Sequence, residues 1–151
     1  MKTSSWRFAR LAAALALVAS LVSPVAAEEP AAKPPAGAYV VIVGVGTFDK
    51  DATIKPRPTA ETDAKAFHKL FTDSKYFPPG GPHAPDRVKL LLAKEDAALG
   101  AQAASHDNIV KAVEEAVNAT GKDDLIILAF FGRGASAGDK TCFFTPETVF
   151  K

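Results

Sequence analysis

Asp123-Asp124-Leu125-Ile126-Ile127-Leu128-Ala129-Phe130-Phe131-Gly132-Arg133-Gly134-Ala135-Ser136-Ala137-Gly138-Asp139 is the stretch that decides the fold. Two acids open it, an unbroken apolar run follows from Leu125 to Phe131, and Gly132-Arg133-Gly134 stops the run. Such a run between turn residues predicts a strand buried on both faces, the kind found in parallel sheets covered by helices. In open α/β sheets, ligands and chemistry gather in the loops at the carboxyl ends of these strands. Gly132 to Asp139 is therefore the first place to look for a site. Gly132 and Gly134 allow a sharp turn or close backbone approach, and Arg133 is expected to project from the strand end between them.

Working outward, the segment before this run predicts alternating strands and helices. Tyr39 to Val45 is β-branched and continuously apolar, a first buried strand. Thr59 is placed to cap a helix from Ala60 to about Ser74, with Glu61 and Asp63 in its first turn, where the helix dipole favours acids. Ala60, Ala64, Phe67 and Phe71 recur at helical spacing and form one buried face. A Pro- and Gly-dense loop, Tyr76 to Arg87, leads to a second strand, Val88 to Leu92. Ala93 to Ala104 carries no decisive pattern. Ser105 caps a second helix whose stripe is Ile109, Ala112, Val113, Ala116 and Val117, closed by Gly121 as a left-handed cap. After the deciding stretch, Thr141 to Thr145 reads as a short strand ended by Pro146. This order calls for an α/β fold, a mostly parallel sheet flanked by helices on both faces.

Phe131-Gly132-Arg133-Gly134-Ala135, followed by Gly138-Asp139, resembles the caspase-like cysteine peptidases, in particular the bacterial metacaspase-type domains. That family has a buried strand, then Ser-Gly-His-Gly-Ala, then Gly-Asp. Other segments match too: Thr62-Asp63-Ala64 stands against an Asn-Asp-Ala motif, and Ser105 with Asn108-Ile109 against Thr-x-x-Asn-Ile. The resemblance spans roughly residues 39 to 145 and implies a caspase-like three-layer sandwich, of which this chain has the first half, a partial domain either truncated or divergent. It also implies that Arg133 occupies the place of the catalytic His, and that the nucleophilic Cys belongs to a later core strand that this sequence does not contain.

The residues bear on chemistry directly. A guanidinium stays protonated at physiological pH and accepts no hydrogen bond, so Arg133 cannot take a proton from a thiol. Cys142 is the single cysteine and sits in an apolar strand, where a thiol behaves as a small buried hydrophobe. His68, on a helix exterior, His83, in the Pro/Gly loop, and His106, at a helix start, read as solvated surface residues. No pair of them has metal-ligand spacing, so neither a metal nor a cofactor is implied. Gly44-Val-Gly46 lacks the third glycine and the immediate helix of a dinucleotide turn. Ser136 is not in a nucleophile elbow. No catalytic set is intact, and the candidate site loop is Gly132, Arg133, Gly134 and Asp139. Arg133 has two readings: a carboxylate- or phosphate-binding residue, or a structural partner of Asp139 across the loop. Asp63 has two as well: ordering a neighbouring loop or lining a substrate pocket, or simply serving the helix dipole.

At the other end of the chain, Lys2, Arg7 and Arg10 precede an apolar run from Leu11 to Val22, then Ser23-Pro-Val-Ala-Ala27. This is the pattern of a secretory signal peptide, residues 1–27, too short an apolar run to span a bilayer. Residues 28–38 begin as a Pro/Ala-rich linker, and 39–151 form the caspase-like domain. Removing the signal takes three basic residues and no acid, leaving a slightly acidic chain. That balance favours neither nucleic acid nor a membrane surface as a partner.

The reading at this level is an exported protein, periplasmic or extracellular, acting as a non-catalytic binding or scaffolding module with a protein or peptide partner. The alternative is part of a caspase- or metacaspase-type cysteine endopeptidase whose nucleophile-bearing half is missing from this chain. A third reading, a flavodoxin-like domain, would be marked by bound nucleotide or flavin. The parallel core is expected to leave an exposed sheet edge through which the chain self-associates.

Overall fold

The structure, a computed structural model, describes residues 37–77 and 85–150, all within one compact unit, Pro34–Lys151. The signal peptide, most of the linker, and His83 with the heart of its Pro/Gly loop lie outside the described residues. Among the described residues no helix is long and apolar enough to cross a membrane.

The first strand, β1 (Ala38–Gly44), is the centre of the molecule. Val40, Val41, Ile42 and Val43 are each at most 2% exposed. It pairs in parallel with β2 (Val88–Leu92) on one side and with β4 (Leu125–Phe131) on the other. A two-residue strand, β3 (Gln102–Ala103), extends the sheet beyond β2, giving the order β3-β2-β1-β4. β3 falls in the stretch whose pattern was indecisive; a short 3-10 turn, Ala97–Leu99, precedes it.

The strand period of two sends alternate residues to two cores. On one face Val41, Val43 and Leu91 pack with Ala112 and Ala116 of helix α2 (His106–Ala119). On the other, Val40, Ile42, Leu90 and Leu92 pack with Ala64, Phe67 and Phe71 of helix α1 (Thr59–Thr72). Full burial of each Val, Ile or Leu stabilises the fold by about 1.5–3 kcal/mol, so β1 and β2 carry much of the folding energy. This is the three-layer α/β arrangement that the alternating pattern predicts.

Several local expectations are corrected. β4 is not buried on both faces. It is the outer strand of the sheet, and Leu125 and Leu128 are 46% and 50% exposed. A continuous apolar run reports strand character but not whether a neighbour lies beyond it. Helix α1 begins at Thr59 with Pro58 at its N-cap and no side-chain cap. Pro58 (φ −57°) is pre-set for the helix, and a turn from the Ala60 N–H to the Arg57 carbonyl (3.0 Å) leads straight in. Asp63 consequently lies past the first turn, where the helix dipole has faded.

Ser105 does cap α2, its Oγ accepting from the Asn108 N–H at 3.2 Å. Gly121 is not a left-handed cap. The helix closes one residue earlier, at an extended Thr120 (φ −87°), and the Gly121 N–H is taken by the Asp124 carboxylate at 2.8 Å. Val117 is 55% exposed, so it leaves the buried stripe; α2 meets the sheet mainly through its alanines. The final short strand is half of a hairpin separate from the main sheet: β5 (Gly134–Ala137) pairs antiparallel with β6 (Lys140–Phe143). Gly138, with φ +66°, makes its tight turn beside Asp139.

Candidate functional site

The sheet order sets where a site can form. From β1 the chain crosses to β2 on one side and later returns to β4 on the other, so the topological switch point lies between the carboxyl ends of β1 and β4. The loops that leave these two strands, residues 45–58 and 132–133, meet there.

Their meeting is closed by two arginines acting in opposite directions. Arg133 donates from Nε to the Lys55 carbonyl at 3.1 Å and from Nη2 to the Pro56 carbonyl at 3.3 Å. Arg57 donates from Nη1 to the Gly132 carbonyl at 3.1 Å, while its Nη2 lies 3.9 Å from the Asp63 carboxylate. Backbone bonds reinforce the closure: the Val45 N–H donates to Phe131 at 2.8 Å and the Arg57 N–H to Gly46 at 2.9 Å. The loop after β1 is anchored from inside as well, since Phe48 and Ile54 are 6% exposed and join the α2-side core.

The predicted site residues are thus only partly gathered. Gly132 and Arg133 stand at the switch point. Asp63 reaches it only through Arg57, at 3.9 Å. Asp139 does not join them: it sits at the exposed tip of the β5–β6 hairpin and makes no ion pair with Arg133. Two nearby carbonyls accept from the Arg133 guanidinium, and the hairpin carries the acid elsewhere. Gly134 is needed for a different reason. A Cβ there would lie 2.5 Å from the Cys142 carbonyl, so only glycine lets the hairpin strands close.

Arg57 was missed by sequence reasoning. Its only local signal is an arginine between two prolines, and nothing near it in sequence shows that it reaches a carbonyl 75 residues away.

Cys142 is exposed rather than buried, on a hairpin strand whose residues are all exposed. His106 is a surface residue that faces Asp107 at 3.1 Å. His68, expected to be solvated, is half-buried in a shallow apolar groove with Ala66, Thr72 and Leu99, and burial lowers its pKa below the ordinary value near 6.5. Among the described residues no three His, Cys, Asp or Glu side chains are gathered as a metal site. The Gly44-Val-Gly46 turn has no room for a dinucleotide approach of the usual kind. Gly44 faces helix α1, and a Cβ on it would lie 2.6 Å from the Ala64 Cβ.

A sheet with its switch point flanked in this way, two helical layers and a hairpin after β4 define an α/β domain. The family model for the caspase domain matches residues 38–150, and the chain belongs to that family. No curated protein and no solved structure matches it.

Proposed function

We propose that this caspase-domain chain is a non-catalytic binding or scaffolding module, exported through its N-terminal signal and engaging a protein or peptide partner. The observation that carries the proposal is Arg133. In the resemblance to the family it stands in place of the catalytic His, and its guanidinium is tied to the Lys55 and Pro56 carbonyls. A permanently protonated side chain occupied as a structural donor is no general base. The only thiol in the sequence, Cys142, lies on an exposed hairpin strand, and among the described residues no imidazole is bonded to it. The guanidinium groups of Arg57 and Arg133 retain donors beyond those used in the closure, and they suit a carboxylate on the partner.

The test is peptidase activity of the purified chain on fluorogenic peptides with Asp, Arg or Lys before the scissile bond, beside Arg133→His and Cys142→Ala. No turnover by any of the three is expected. Turnover by the natural chain that disappears in Cys142→Ala would make Cys142 a nucleophile and overturn the proposal. The second reading, part of a cysteine endopeptidase whose nucleophile-bearing half is not in this chain, is favoured by one observation: β4 has an unpaired outer side, where a further core strand could add. A downstream reading frame encoding an Asp-x-Cys-x-x-Gly strand end would support it.

A further inference from the structure

On the α2 face of the sheet, at the amino ends of β1 and β2, a cavity of about 230 Å³ opens to solvent. Its floor is Tyr39 and Val41 of β1, and its wall is Ala112, Ala116 and Ala119 of α2. Val41, Ala112 and Ala116 are buried, so the interior is apolar. The sequence explains why the chain leaves it unfilled. The strand register sets Lys89 beside Val41 on this face, and Arg87 lies two residues before Lys89. Both are long side chains that keep their charged heads in water. Opposite them α2 supplies methyl groups, with Glu115 at the edge. The rim is balanced in charge, Arg87 and Lys89 against Asp86 and Glu115. The Arg87 guanidinium stands 4.8 Å over the Tyr39 ring. The Lys89 ammonium lies 3.6 Å from the Glu115 carboxylate, and their side chains are 46% and 48% exposed. A pair so exposed contributes little, and it yields readily to a ligand that carries both charges.

We propose that this cavity binds a free amino acid with a phenyl side chain. The ring lies on the Tyr39–Val41 floor against the alanines, the carboxylate at Lys89 beside Arg87, and the ammonium at Glu115 and Asp86. Size decides the ring. An apolar cavity of roughly 150 Å³ takes one benzene molecule. A cavity of about 230 Å³ takes a phenyl ring with its methylene and leaves the charged head at the rim. Tyr39 offers that ring an offset or edge-to-face contact. Charge decides the head. A phosphate or dicarboxylate would meet the Asp86 and Glu115 carboxylates, and a diamine would meet Arg87 and Lys89. A zwitterion places each of its charges against the opposite sign. A ligand of about a dozen heavy atoms held this way has a dissociation constant on the order of 0.1–1 mM.

The test is a titration of L-phenylalanine into the isotope-labelled chain, followed through its amide resonances. Saturable shifts are expected at Tyr39, Val41, Ala112 and Ala116. Phenylpropionate lacks the ammonium and phenethylamine lacks the carboxylate, and each should bind about tenfold more weakly. Lys89→Gln should weaken phenylalanine and phenylpropionate without weakening phenethylamine. Glu115→Gln should weaken phenylalanine and phenethylamine without weakening phenylpropionate. Both positions are half exposed, so circular dichroism should be unchanged in each variant. Ala116→Leu puts a larger side chain into the cavity and should abolish binding. Three results would each sink the proposal: no saturable shift with phenylalanine, both analogues bound as tightly as phenylalanine, or Lys89→Gln and Glu115→Gln leaving all the affinities unchanged.

Discussion

Arg133 and Arg57 show how one residue type can hold two loops together. Each donates to a backbone carbonyl on the other's loop, so the two loops at the switch point are held by charge-assisted bonds that need no deprotonation. Arg133→Ala would leave the Lys55 and Pro56 carbonyls to water, at an expected cost of about 1 kcal/mol because the site is exposed; urea unfolding would measure it. Arg133→Lys should recover little, since an ammonium lacks the planar fork that reaches two carbonyls at once. A second residue-scale effect belongs to His68. Burial disfavours its charged ring, so the folded chain binds the proton more weakly than the unfolded chain. Its contribution to stability is complete above the ordinary value of about 6.5 and is lost as pH falls through the lower folded-state value. Melting temperature should therefore drop on acidification from neutral pH, and His68→Gln should flatten that drop. At lower pH Asp51, held down by its bond from Thr53, and Asp96, held down by its bond from Lys65, act in the same direction below their ordinary value of 3.8.

At the scale of elements, the packing of α1 on β1 explains a glycine that a motif reading makes ambiguous. Ala60 and Ala64 are fully buried, and their small side chains bring the helix close to the sheet. Gly44 completes the approach. Gly44→Ala would drive its Cβ to 2.6 Å from Ala64 and 3.1 Å from Leu92, and overpacking of this kind costs about 1–3 kcal/mol. The loss should appear in denaturant midpoints. A Gly44→Ala, Ala64→Gly double variant should regain part of it, a result that a nucleotide-binding role for Gly44 would not produce. The outer helix layer is less demanding. Its N-terminus is held by the Ser105 cap, by the Asn108 Nδ2 bond to the Ala103 carbonyl at 2.9 Å, and by the Glu147 carboxylate, which accepts from the His106 N–H at 2.7 Å. The last of these draws the C-terminal segment onto α2.

Across the whole molecule, protection is graded from the middle of the sheet outward. β1 lies between two strands and under both helices, whereas β4 has an unpaired side and the β5–β6 hairpin is exposed along its length. Native-state hydrogen exchange should follow that gradient, slowest for the β1 amides Val41 to Val43 and fastest for the hairpin, because few apolar contacts shield the latter.

The sequence by itself determined the alternation of strands and helices. Apolar runs, helical stripes and the Ser105 cap are local signals, so β2 and β4 fall on the predicted residues and β1 starts one residue earlier. It also placed the Gly132-Arg133-Gly134 loop at the end of β4, because a run stopped by these residues marks a strand end wherever that strand sits. It could not show that β4 is an outer strand, since seven apolar residues look the same with one neighbour or two. Nor could it pair Arg133 with Lys55 and Pro56 instead of Asp139, or bring Arg57 to Gly132. Those bonds join residues more than 70 positions apart, and only the strand order, by setting β1 beside β4, decides that their loops meet.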